Sequence, residues 1–138
     1  MPCNKGPAGG PSAGTTVMAR RHIGLSHPLG GPVEGGGRFQ LQHVGAVCKG
    51  GLRLGLIYLV DLIGPAAPMN LAVLDKAAEA LSTVKGPWII GGDFNSTPEE
   101  GAQTGFLNLV QGVAHYPNEP TCGTKTYDFL VVSKQLSP

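Results

Sequence analysis

The chain has 138 residues and a formal net charge of +1, with only 14% charged residues. That length suits one domain able to bury roughly 65–70% of its extended surface, and the near-neutral balance gives no basic face of the kind that tracks nucleic acid or an anionic membrane, although a polyanionic partner is not excluded. Cys3, Cys48 and Cys122 lack the paired spacing of a zinc site, and an odd count speaks against a closed disulfide framework, so reduced thiols in an intracellular protein, cytoplasmic or nuclear, are expected.

The N-terminus has no signal-peptide pattern, and no window reaches the ~18 apolar residues of a membrane span. Residues 1–37 are rich in glycine and proline ("GPAGGPSAG", "GGPVEGGG") and are expected to be mostly irregular. The β-branched stretch Gly14 to Arg20 is a candidate short edge strand. Residues 38–138 read as the folded part.

From Arg38 to Val47, Phe39, Leu41 and Val47 alternate with polar or small residues, which predicts a half-buried strand. "CKGG" supplies a turn, and Leu52 to Val60 predicts a second strand paired with the first as an antiparallel hairpin. A helix is predicted over Asn70 to Val84, with Asn70 as its N-cap, Leu71, Leu74, Ala78 and Leu81 on one face, and Lys85-Gly86-Pro87 as its stop. "WIIGG" reads as a buried strand running into a bend that its two glycines allow. Thr97, Pro98 and Glu100 form a capping box for a further helix, short or broken at Gly101 and Gly105. The last readable strand is "TYDFLVVS", Thr126 to Ser133. Strands and helices alternate loosely around one hairpin, as in a mixed sheet with helices packed on it.

The stretch that calls for chemistry is "GGDFN", Gly91 to Asn95. An acid at the carboxyl end of a strand is held by the sheet yet faces outward, where it can orient and deprotonate a water or hold a hard cation. An amide two residues on can contact a phosphate oxygen. Asp and Asn also favour turns for local reasons, so a plain Asx turn is the competing account.

"IIGGDFN" resembles the Gly-Asp-Phe-Asn signature of the endonuclease/exonuclease/phosphatase superfamily, and "TYDFLVVSKQL", Thr126 to Leu136, is similar to its later Asp-containing strand; the order and separation of the two agree with that family. The resemblance runs from Gly14 to Pro138. It implies a partial two-sheet α/β sandwich of the deoxyribonuclease I-like type, with mixed, largely antiparallel strands. It further implies magnesium- or manganese-dependent hydrolysis of phosphodiester or phosphomonoester bonds, the substrate being nucleic acid, a phosphorylated small molecule or a lipid headgroup. By the family pattern, Asp93 activates the attacking water and Asn95 contacts the scissile phosphate, both with a share in metal binding. Asp128 is the acid that orients a histidine in that family; lying on the same side as Leu130 and Val132, its carboxylate is expected to be largely buried, the alternative being a solvent-facing strand residue. Tyr58 matches a tyrosine near the phosphate, although Leu59-Val60-Asp61 replaces the usual Pro-Asn, and a core tyrosine is the alternative.

Two parts of the family pattern are missing. No metal-binding Asn and Glu precede Gly14, and only ten residues follow Asp128, none of them histidine. Since metal and imidazole carry much of the transition-state charge, impaired catalysis in a partial domain is expected. The rival readings are a non-catalytic phosphate-binding or interaction module of the same fold and, with no G-x-G-x-x-G to support it, an unrelated nucleotide-binding domain. His22, His27, His43 and His115 match no family position and receive no role, and Thr121 and Gly123 read as structural.

Overall fold

The computed structural model describes residues 4–5, 11–12, 14–27, 33–34 and 37–137. In chain order the strands are β1 (Asn4–Lys5), β2 (Pro11–Ser12), β3 (Leu25–Ser26), β4 (Val33–Glu34), β5 (Phe39–Val44), β6 (Leu52–Tyr58), β7 (Trp88–Asp93), β8 (Gly112–His115) and β9 (Asp128–Ser133); the helices are α1 (Pro68–Ser82), α2 (Pro98–Gln103) and α3 (Phe106–Val110). β1 and β2 pair with each other, and the other seven strands form one mixed sheet ordered β3-β5-β6-β7-β9-β8, with β4 also on β5. Among the described residues only β6–β7 is parallel, because α1 is the crossover between them and returns the chain to the same end of the sheet.

The predicted hairpin is present as β5–β6, closed by a turn in which Gly51 N donates to Cys48 O at 2.8 Å. Val47 lies past the end of β5 and is exposed. The stretch Gly14 to Arg20 is not a strand: only Thr15 of it is buried, and the edge pairing with β5 is made instead by β3 and β4. β8 was not anticipated, since "GVAH" holds a single β-branched residue.

The core lies between one face of the sheet and α1. Phe39, Leu41, Ile57, Trp88, Ile90, Phe129 and Val131 meet Val73, Leu74, Ala77 and Leu81, which recur at the three- and four-residue spacing that puts them on one helix face. Asn70 is not the N-cap. Pro68 occupies the first turn and Ala67 the cap position, so the helix starts earlier. Asn70 is instead fully buried and clamps the preceding loop: its Oδ1 accepts from Val60 N at 2.7 Å, and its Nδ2 donates to Val60 O at 3.0 Å and to Gly64 O at 2.8 Å.

Replacing Asn70 strands the two buried backbone groups of Val60 and the half-buried carbonyl of Gly64, so Asn70→Leu is expected to cost about 3 kcal/mol. Asn70→Asp is expected to do at least as much damage, because it sets a buried carboxylate against two carbonyl oxygens that had a donor. Urea unfolding midpoints of the two variants check the order.

The capping box forms as predicted, with Thr97 Oγ1 accepting from Glu100 N and Glu100 Oε2 accepting from Thr97 N at 2.9 Å. The helical run continues through Gly101 and breaks at Gly105, whose φ is +80°. The glycines of β7 do not make a bend. Both lie inside the strand, and a Cβ on Gly92 would meet Ile57 O of the adjacent strand at 1.9 Å. They allow close approach of backbones, and the turn begins only after Asp93.

Candidate active site

Three neighbouring strands contribute to one row of side chains at the sheet rim. Asp93, the last residue of β7, is level with Tyr58 of β6 on one side and with Asp128 of β9 on the other. Residues in register share a face, and this is the face turned away from α1. Beyond Tyr58 the row reaches Arg38, whose backbone oxygen accepts from Tyr58 N at 2.8 Å and whose guanidinium sits 5.2 Å from the Tyr58 ring centroid. Tyr58 is half-buried in this row, on the face opposite the hydrophobic core.

The corner after β7 is held from three directions. Phe94 turns to the helix side and stacks on Phe129 with ring centroids 4.0 Å apart, while its N–H donates to Tyr127 O at 2.9 Å. Asn95 takes a left-handed φ of +45°, a region that Asn enters more readily than most residues. Its N–H donates to Asp93 Oδ1 at 2.9 Å, which is the Asx turn, and its Nδ2 donates to Leu59 O at 2.8 Å, tying the corner to the end of β6. The Asx turn therefore occupies one oxygen of Asp93; the other oxygen, and Asn95 Oδ1, accept no hydrogen bond from the described residues.

Partial burial pushes the Asp93 carboxyl above the usual aspartate range. The hydrogen bond from Asn95 opposes the shift, and repulsion from Asp128 and then Asp61 adds to it. Asp128 is exposed, not buried as its strand position had suggested. Phe129 and Val131 take the helix side, while Asp128 and Leu130 occupy the opposite face, which is open at this end. The start of β9 is steadied by Thr121, whose Oγ1 accepts from Tyr127 N at 2.9 Å and from Asp128 N at 3.0 Å.

An open hollow lies beside the two acids, lined by Gly92, Asp93, Asp128, Phe129 and Leu130 and, from the adjacent strand and the residues that follow it, by His115, Tyr116 and Pro117. Tyr58 and Asn95 are at the rim but do not line it. His115 and Tyr116 had no signal in the sequence; the β8–β9 pairing, which sets His115 level with Leu130, brings them there. Among the described residues no three acids, imidazoles or thiols converge as a metal-binding cluster. The donor set at the rim is nonetheless of hard oxygens, two carboxylates and an amide oxygen, and magnesium is commonly held through one or two carboxylates with water and substrate phosphate completing its shell.

The fold, a mixed α/β sheet with helices on one face, is deoxyribonuclease I-like, as in the solved structures that it resembles. The endonuclease domain of TRAS1, a telomere-specific non-LTR retrotransposon, superposes with a TM-score of 0.56 at 15% identity, over 81% of this chain and 54% of that one. CdtB, the biologically active subunit of cytolethal distending toxin, gives 0.51 at 16% identity over 71% and 40%, and the human Nocturnin catalytic domain 0.50 at 19% identity over 70% and 40%. The chain thus spans 40% to 54% of the length of these three structures. No protein-family model matches it, and no curated protein matches it by sequence.

Proposed function

We propose that the chain is a nuclease-like hydrolase of phosphodiester bonds, using a divalent cation and acting on nucleic acid. The observation that carries this reading is the pairing of Asp93 with Asp128 at the rim, with the Asp93 carboxyl raised and one of its oxygens unengaged. Endonuclease names among the structures of the same fold agree with it.

In this reading Asp93 accepts the proton of the attacking water. Its raised pKa makes it a stronger base than a free aspartate, and the hydrogen bond from Asn95 N fixes the direction of its second oxygen. Asp93 and Asn95 Oδ1, with Asp128 across the strand pair, would hold magnesium or manganese, whose chemistry when bound is to polarise the phosphoryl oxygen. Asn95 positions the corner through Leu59 O, and Tyr58 lies level with Asp93 to meet the phosphate.

The experiment is cleavage of a supercoiled plasmid and of a labelled single-stranded oligonucleotide in magnesium, with chelator and with Asp93→Ala. Cleavage of either substrate that both treatments abolish is the expected result, and its absence on both substrates overturns the reading. A second reading, a phosphate-binding module without turnover, is favoured by the lack of a three-group metal cluster among the described residues. Calorimetric titration separates the two, since that module should take up no magnesium.

A further inference from the structure

The hollow beside the acids has two chemically different walls. On one, Asp93 and Asp128 can only accept hydrogen bonds when ionised, and they repel a phosphate. The side-chain donors that line the hollow are both on the other wall: the imidazole of His115, which offers an N–H in either protonation state, and the hydroxyl of Tyr116. Around them stand Pro117 and Leu130, the latter 46% exposed, and the Tyr116 ring, 53% exposed. An exposed aromatic ring and an exposed leucine at the mouth of one hollow leave apolar surface in water that a flat ring would cover.

A ligand that satisfies both walls has a flat π-face for Tyr116 and an anionic group for His115. An unpaired nucleotide has both, whereas a base inside a duplex is already stacked and cannot present its face. Charge favours the same choice. With a net charge of +1 over the chain, affinity from tracking a duplex backbone is small, and stacking, which needs no cationic surface, is left as the larger contribution.

We propose that the His115–Tyr116 wall is the subsite for an unpaired nucleotide of single-stranded nucleic acid, with Tyr116 as the platform for the base and His115 as the donor to its phosphate. This rests on the phosphodiesterase reading and names its substrate class. Both residues are exposed and outside the core, so they can be changed without unfolding the chain.

The test is binding, measured by fluorescence anisotropy of a labelled hexanucleotide in calcium buffer, against a blunt duplex carrying the same label. The single strand should bind at least tenfold more tightly. Tyr116→Ala should weaken single-strand binding about tenfold, within the range of one base–aromatic stack, while Tyr116→Phe should retain it. His115→Leu should weaken binding of a nucleoside monophosphate severalfold and leave the matching nucleoside unchanged, a split that a merely structural histidine would not produce. Duplex preference, no measurable single-strand binding, or equal binding by Tyr116→Ala overturns the proposal. The outcome is separate from the cleavage result: Asp93-dependent cutting with duplex preference removes this subsite and keeps the hydrolase.

Discussion

Gly92→Ala is expected to unfold the chain or leave it barely folded at 25 °C, although the change adds one methyl group. The reason is local and severe. A Cβ at this position would stand 1.9 Å from Ile57 O and 2.9 Å from Ile57 C, backbone atoms of a central strand that cannot rotate away as a side chain would. The φ of +154° adds strain for any L-residue. Relief requires β6 and β7 to separate where Ile57 and Gly92 are level, one residue before Tyr58 and Asp93, and among the described residues that pair of strands is the only parallel one in the sheet. Overpacking of a core usually costs 1–3 kcal/mol, and here backbone meets backbone, so about 4 kcal/mol or more is expected, a large part of the 5–15 kcal/mol of a typical domain. Gly91→Ala makes the useful contrast. Its added Cβ would meet Leu130 Cδ2 at 2.8 Å, the far end of a flexible, half-exposed side chain, so a loss near 1 kcal/mol is expected. Chemical denaturation of the pair, followed by the fluorescence of the buried Trp88, measures both, and equal losses would refute the close-approach account.

The difference between these two glycines also marks the limit of what the sequence discloses. Periodicity made β5 and β6 legible, because Phe39, Leu41 and Ile57 alternate toward one face, and the capping box at Thr97 and Glu100 is a purely local device. The corner at Asp93 to Asn95 was legible for the same reason, being three residues whose side-chain hydrogen bonds close on themselves and on the end of β6. What depended on packing was not. Two glycines before an Asp-Phe-Asn look like a bend until the neighbouring backbone is seen to occupy the space. Asn70 looks like a cap until Pro68 starts the helix, moving the cap three residues back to Ala67 and leaving the Asn70 amide turned inward. Alternation correctly grouped Asp128 with Leu130, but which face the helices cover decides whether that group is buried, and α1 covers the other one. His115 and Tyr116 enter the site only through a strand pairing that four weakly patterned residues gave no reason to expect.

Asp93→Asn is expected to cut hydrolysis by about 100- to 10,000-fold, the range supplied by a positioned general base, and at the same time to make the chain slightly more stable in metal-free buffer. The amide oxygen can still accept from Asn95 N, so the corner should keep its shape. What disappears is the proton acceptor, together with a carboxylate disfavoured by burial and by the repulsion of Asp128 and Asp61. Because the folded pKa lies above the unfolded value, the ionised group destabilises the fold once pH exceeds the unfolded pKa of about 3.9, and the penalty is complete above the folded one. The native chain should therefore lose stability relative to Asp93→Asn as pH rises from about 3.5 to 7, and the two should converge on acidification. The carboxyl is only partly buried and screened by solvent, so the gap at neutral pH should not exceed about 1 kcal/mol. Urea titrations of both chains at several pH values, beside the cleavage assay, read the two effects on the same samples. A variant that loses activity and stability together would mean that Asp93 holds the corner rather than the water, and the Asx turn would then be its whole function.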